Sequence, residues 1–148
     1  MYKNILMAYD GSALSDKALQ EATALAKSAH GKLTLIYVVT PHHLLIGGGR
    51  EVPGLNRLQQ QYANEVDQEA RQMLDRARTR ANATGVAVEV LSEHGTAPHK
   101  CIVEAAGRLK CDLIVMASHG RRGLEGVVVG SQTLRVLSSS TIPVLIVR

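Results

Sequence analysis

Five short apolar runs recur along the chain, and they occupy positions 4–9, 33–39, 86–91, 113–117 and 142–147. Nearly continuous apolar runs of this length are typical of strands that are buried on both faces of a sheet. The segments between them carry apolar residues at helical spacing instead. Alternation of strands and helices predicts right-handed crossovers, and hence a parallel sheet with helices on both faces.

Capping residues set the expected helix boundaries. Either Ser12 or Ser15 can cap the first helix, and Gly31 is expected to end it in the left-handed conformation. A long helix is predicted over about 56–84, where Gly85 stops it. The remaining two helices are predicted to begin near Pro98 and at Ser131.

Length and composition are those of one domain spanning residues 1–148. The chain is 45% apolar and has no Phe or Trp, so its core must be aliphatic. A net charge of +4 without aromatic platforms does not favour nucleic-acid binding. We expect no membrane span and no signal peptide, because no sufficiently long apolar stretch occurs. Cys101 and Cys111 match no metal spacing, which favours reduced thiols in the cytoplasm.

A loop is predicted from Thr40 to Leu55, and it contains three consecutive glycines at positions 47–49. A loop of this length in a compact domain is usually functional or mobile. The glycines are not a dinucleotide fingerprint, because they do not join a strand directly to a helix.

Two strand ends differ from ordinary turns, and in open parallel sheets ligands bind beyond such ends. The first is Asp10-Gly11-Ser12, where the Asp10 carboxylate could hold ribose hydroxyls or a base, or could simply cap the turn. The second runs from Ala117 to Ser131 and carries glycines at 120, 123, 126 and 130. Its Gly130-Ser131 pair leads into a helix whose N-terminus favours phosphate. Arg121 and Arg122 add positive charge, although a flexible loop with solvated arginines fits the same residues.

Other chemistries are poorly supported. There is no Gly-Lys-Ser/Thr of a P-loop, and Asp10 lacks the acidic neighbours and the lysine of a phosphorylated receiver domain. The histidines do not occur at metal-ligand spacing, and no nucleophile–base–acid set stands out.

The chain resembles the universal stress protein family from end to end. The resemblance is carried by MYKNILMAYDGS, LTLIYVV, DLIVMASHGRRGLEGVVVGS and PVLIVR. The nucleotide-binding branch of that family has Gly-x2-Gly-x9-Gly-Ser/Thr after the fourth strand. Here Gly120, Gly130 and Ser131 match that pattern at the same spacing, whereas Ala117 replaces the first glycine.

The resemblance implies a Rossmann-like sheet of the adenine nucleotide alpha hydrolase type, with five strands in the order 3-2-1-4-5. Asp10 would then lie beside the turn after the fourth strand. The implied ligand is ATP or AMP, with Mg²⁺ as a companion of ATP. A side chain at position 130 is expected to project into the phosphate space. The residues implied to hold the nucleotide, with Arg121 added on charge alone, are Ala8, Asp10, Val38, Met116, Ala117, His119, Gly120, Arg121, Gly130, Ser131, Gln132 and Thr133.

The leading hypothesis is therefore a nucleotide-dependent regulator in stress response, with protein partners that the sequence does not identify. The alternatives are an interaction dimer with an empty site and a slow ATPase, although no general base is evident for fast hydrolysis. An apolar last strand at the sheet edge is a liability for a soluble protein. We therefore expect a homodimer that pairs this strand with its symmetry mate.

Overall fold

The computed structural model describes residues 1–41, 53–120 and 129–148. The glycines at 47–49, Arg121 and Arg122 lie outside these ranges. In chain order the elements are β1 (Asn4–Ala8), α1 (Ala13–Ser28), β2 (Lys32–Val39), α2 (Leu55–Asn82), β3 (Ala87–His94), α3 (Pro98–Arg108), β4 (Leu113–Ala117), α4 (Ser131–Ser139) and β5 (Val144–Val147).

The five strands form one parallel sheet in the order β3-β2-β1-β4-β5, which confirms the predicted fold. The central strand is β1, where Leu6 pairs with Thr34 of β2 on one side and with Ile114 of β4 on the other. The strand order reverses between β1 and β4. Ligand sites in open parallel sheets lie at such a reversal.

The sheet is covered on both faces, because alternate side chains of each strand point to opposite sides. On one face, α1 and α2 pack against a cluster that includes Ile5, Leu35 and Val115. On the other face, α3 and α4 pack against a cluster that includes Leu6 and Met116. These buried strands explain why the sequence shows nearly continuous apolar runs.

The end of α1 differs from the prediction. His30 takes the left-handed conformation, with φ of 50°, whereas Gly31 does not. A Cβ added to Gly31 would lie 2.5 Å from the Lys3 carbonyl oxygen. The glycine is therefore required by the close approach of the chain entering β1. Gly85, which the sequence predicts to stop α2, lies beyond the end of that helix and has a positive φ of 88°.

Strand β3 continues to His94, three residues beyond the predicted end. Ser92, Glu93 and His94 pair with the last three residues of β2. Because β3 is an edge strand, its polar residues can remain partly exposed while their backbone is paired, and an apolar pattern does not reveal such pairing. In the described part of the chain no helix combines the length and apolarity that crossing a membrane requires.

Candidate functional site

The carboxyl ends of β1 and β4 bring together the two strand ends that the sequence distinguished. A Cβ added to Gly120 would lie 2.5 Å from Oδ2 of Asp10. Only a glycine allows the Asp10 carboxylate to pack this closely on the turn after β4. Asp10 and Gly120, which are 110 positions apart in the chain, therefore share one site.

The Asp10 carboxylate is also held by a residue of its own turn, between β1 and α1. Its Oδ1 accepts a hydrogen bond of 2.9 Å from the Ser12 backbone N–H. Ser12 in turn caps α1, because its Oγ accepts a hydrogen bond from the Ser15 N–H at 3.1 Å. The turn from β1 into α1 thus presents a half-buried carboxylate at a defined position.

Ser118 joins the end of β4 to the start of α4. Its N–H donates to the Val147 carbonyl of β5 at 2.8 Å, and its carbonyl accepts the Gly130 N–H at 2.5 Å. A Cβ on Gly130 would lie 3.3 Å from both the Ser118 oxygen and the His119 Cα. A side chain at 130 would therefore press on the turn after β4. That it also projects into the phosphate space stays a prediction. Nothing in the sequence distinguished Ser118.

The first turn of α4 is anchored by two side chains. Thr133 is buried, and its Oγ1 donates to the Ala117 carbonyl at 3.1 Å. The Gln132 Oε1 accepts the His99 backbone N–H at 3.2 Å and contacts the His99 Nδ1 at the same distance. Gly130 provides no side-chain cap, and Ser131 is exposed. The start of α4 is thus held firmly while its first backbone N–H groups lack a side-chain cap.

An apolar wall lies on the α3 and α4 side of this edge. Ala8, Val38 and Met116 all belong to or pack against the core cluster on that face. Pairing of β1 with β2 ends at Ala8 and Ile36, so Val38 extends beyond the end of β1. A Cβ on Gly95 would press on the Cys101 Sγ and lie 3.9 Å from the Val38 Cγ1. The half-buried Cys101 is thus a neighbour of the wall that the sequence did not indicate.

Ala117 lies in β4 and pairs with Val147. Its methyl group packs against the core cluster on the α1 and α2 side, not on the side of Ala8 and Met116. Ala117, which replaces the first glycine of the family pattern, therefore does not reduce the space beside the apolar wall. His119 is half-exposed, with Nδ1 3.3 Å from the Ser118 Oγ, and Arg121 lies outside the described residues.

A separate groove of about 430 Å³ lies between α1 and α2, and its lining includes none of the predicted site residues. Among the described residues, no group of three or more His, Cys, Asp or Glu side chains could hold a metal ion. The reversal point of the sheet is therefore the position where fold, glycines and polar groups coincide.

The profile of the Universal stress protein family matches residues 1–148. The chain belongs to the universal stress protein family. This universal stress protein is 35% identical to Universal stress protein YxiE of Bacillus subtilis, and the match covers 100% of both chains.

Solved structures agree with this membership. MJ0577 of Methanocaldococcus jannaschii is 28% identical, with a TM-score of 0.83 and coverage of 99% of this chain and 96% of that one. A universal stress protein solved in complex with cAMP is also 28% identical, with a TM-score of 0.68 and coverage of 99% and 97%. The fold of this universal stress protein is thus shared over nearly its whole length.

Proposed function

We propose that this chain binds an adenine nucleotide, ATP or AMP, at the reversal point of its sheet and acts as a nucleotide-dependent regulator in stress response. The observation that carries the proposal is the contact of the Asp10 carboxylate with Gly120 beside the start of α4. The Asp10 carboxylate, which can accept hydrogen bonds from hydroxyl groups, thereby lies close to the N-terminus of α4, and a helix N-terminus favours phosphate.

The parts of the site match the parts of such a nucleotide. Asp10 would accept hydrogen bonds from the ribose hydroxyls, because an ionised carboxylate is an acceptor only. Ala8, Val38 and Met116 would flank the base on the apolar wall. The first N–H groups of α4, beginning at Ser131, would bind the phosphates. The relative in complex with cAMP supports an adenine nucleotide as the ligand class.

We further propose that the protein is a cytoplasmic homodimer formed through β5. This strand is at the edge of the sheet, where Leu145 is 36% exposed. Leu134 and Leu137 of the adjacent α4 are 50% and 48% exposed. Pairing of two β5 strands would cover both an open strand edge and apolar side chains. The free thiols of Cys101 and Cys111 are those expected in a reducing compartment.

The direct test identifies what the protein carries. Small molecules released by denaturing the purified protein would be analysed by mass spectrometry, and binding of ATP, ADP and AMP would be measured by calorimetry. We expect an adenine nucleotide and saturable binding. Absence of saturation with millimolar concentrations of all three would contradict the proposal and favour an interaction dimer with an empty site.

A charge placed at the start of α4 tests the phosphate position. Ser131→Glu adds a carboxylate to an exposed position in the first turn, where the helix dipole makes a negative charge neutral or favourable for stability. We expect AMP affinity to fall about tenfold or more through charge repulsion, whereas adenosine affinity is retained. Gln72→Glu, an equal charge change on the exposed side of α2, should alter neither. Unchanged AMP affinity, or an equal loss of AMP and adenosine binding, would contradict binding of the phosphate at the start of α4.

A further inference from the structure

Tyr9 lies next to Asp10 in the chain. Its side chain is on the face of the sheet that α1 and α2 cover, opposite the face of the apolar wall. The ring belongs to the core cluster beneath α1 and α2 and is only 4% exposed. Its hydroxyl donates to the Asp16 Oδ1 at 2.6 Å and accepts from the Arg80 Nη2 at 2.8 Å. Arg80 also donates to the Asp16 Oδ1 at 2.6 Å. These three residues form a closed hydrogen-bonded cluster that links β1, α1 and α2.

Two members of the cluster, Tyr9 and Asp16, lie on either side of Asp10 in the chain, and backbone hydrogen bonds fix both of them. On the β1 side, the Tyr9 N–H donates to the Ile36 carbonyl at 2.9 Å. On the α1 side, the Asp16 N–H donates to the Ser12 carbonyl at 2.9 Å, and the Ser12 N–H donates to the Asp10 carboxylate. The chain on either side of Asp10 is therefore tied to β2 and to the first turn of α1 by residues that also belong to the cluster.

The protonation states in the cluster suit this role. Burial and the hydrogen bond to Asp16 raise the pKa of Tyr9 to about 12, so the phenol remains a donor at neutral pH. Burial raises the pKa of Asp16, but hydrogen bonds from Arg80 and Tyr9 outweigh it, and the net effect is a lowered pKa. Asp16 is therefore an ionised acceptor between two donors.

The cluster differs from an ordinary surface ion pair on the same helix. Arg78 contacts Asp75 within α2 at 3.0 Å, and that contact reaches no other element. The Arg80 guanidinium instead spans from α2 to α1 and to a buried tyrosine at the end of β1. Removal of Arg80 would thus change the surroundings of the strand end, whereas removal of Arg78 would not.

We propose that Tyr9, Asp16 and Arg80 are positioning residues that set the Asp10 carboxylate against the ribose hydroxyls of the bound nucleotide. The inference rests on the proposed nucleotide function. It assigns recognition of the ribose, and not only stability, to an arginine on the far face of the sheet.

The test compares AMP with 2′,3′-dideoxy-AMP, which lacks both ribose hydroxyls, by calorimetry. The proteins are the wild type, Tyr9→Phe, Arg80→Gln and the control Arg78→Gln. We expect the wild type to prefer AMP. Tyr9→Phe and Arg80→Gln should each reduce that preference by about threefold to tenfold, the range for one hydrogen bond, while dideoxy-AMP affinity is retained. Arg78→Gln should leave the preference unchanged.

The outcomes separate this inference from the proposed function. If the wild type binds no nucleotide, the proposed function itself fails. If it binds both ligands equally, or if Arg80→Gln retains the full preference for AMP, the positioning role is wrong while nucleotide binding stands. A purely structural role would weaken both ligands alike or lower only the thermal midpoint. Arg80 is half-exposed, so Arg80→Gln provides a result even if Tyr9→Phe folds poorly.

Discussion

Replacing Gly120 with alanine tests the contact on which the candidate site depends. The new Cβ would lie 2.5 Å from Oδ2 and 3.7 Å from Cγ of Asp10. Gly120 does not have a positive φ, so the backbone itself would accept an alanine. The strain is therefore confined to the Asp10 side chain, which must rotate away and lose the hydrogen bond from the Ser12 N–H.

The magnitude follows from those two changes. An off-rotamer side chain costs about 0.5–1.5 kcal/mol and a lost hydrogen bond about the same. We expect the free energy of unfolding to fall by about 1–3 kcal/mol in urea titrations. Nucleotide affinity should fall about tenfold or more, because the displaced carboxylate no longer meets the ribose.

Gly107→Ala is the matched control. Gly107 lies near the end of α3, and a Cβ there would meet no atom within 4 Å. Alanine is the better helix former, so this variant should gain about 0.5 kcal/mol and bind nucleotide as the wild type does. A Gly120→Ala protein with wild-type stability and wild-type AMP affinity would refute the close contact and its functional role.

Three further predictions concern the departure from the family pattern, assembly and pH. Ala117→Gly should change nucleotide affinity by less than about tenfold, because the methyl group packs on the opposite face; a larger change in calorimetry would be inconsistent with that packing. The wild type should be a dimer by light scattering at micromolar concentration, and Leu145→Lys should make it monomeric; a monomeric wild type would count against pairing of β5. Because the pKa of Asp16 is lowered, its stabilising effect is present above the pKa of an unfolded aspartate and is lost as pH falls through the folded value. Asp16→Asn should therefore lose less stability than the wild type between about pH 5 and 2, and an unchanged acid dependence in urea unfolding would contradict this.

Much of the candidate site could be predicted from the sequence, because its signals are local in the chain. Asp10 lies two residues beyond the buried strand β1, and Gly130-Ser131 opens α4. Each feature follows from strand burial or helix capping, which depend on neighbours in sequence. The resemblance to a family then supplied the order in which the strands lie, and the structure bears that order out.

What the glycines do, however, depends on partners far away in the chain. Gly120 is needed because Asp10 packs on it, and Gly31 because the Lys3 carbonyl does. The sequence indicates only that a glycine is present, and both a positive φ and a close approach can require one. The contacts of Gly130 with Ser118 and His119, which lie in the turn after β4, could not be predicted from the sequence for the same reason.

The sequence by itself determined the succession of strands and helices, the two unusual strand ends and the aliphatic nature of the core. These follow from the periodicity of apolar residues and from residue type, and both can be recognised within the length of a single helix or strand. Only the tertiary structure decided that Tyr9 reaches Asp16 and Arg80, and that Gln132 contacts His99. Those contacts arise from parallel pairing and helix packing, which bring together side chains that no local pattern connects.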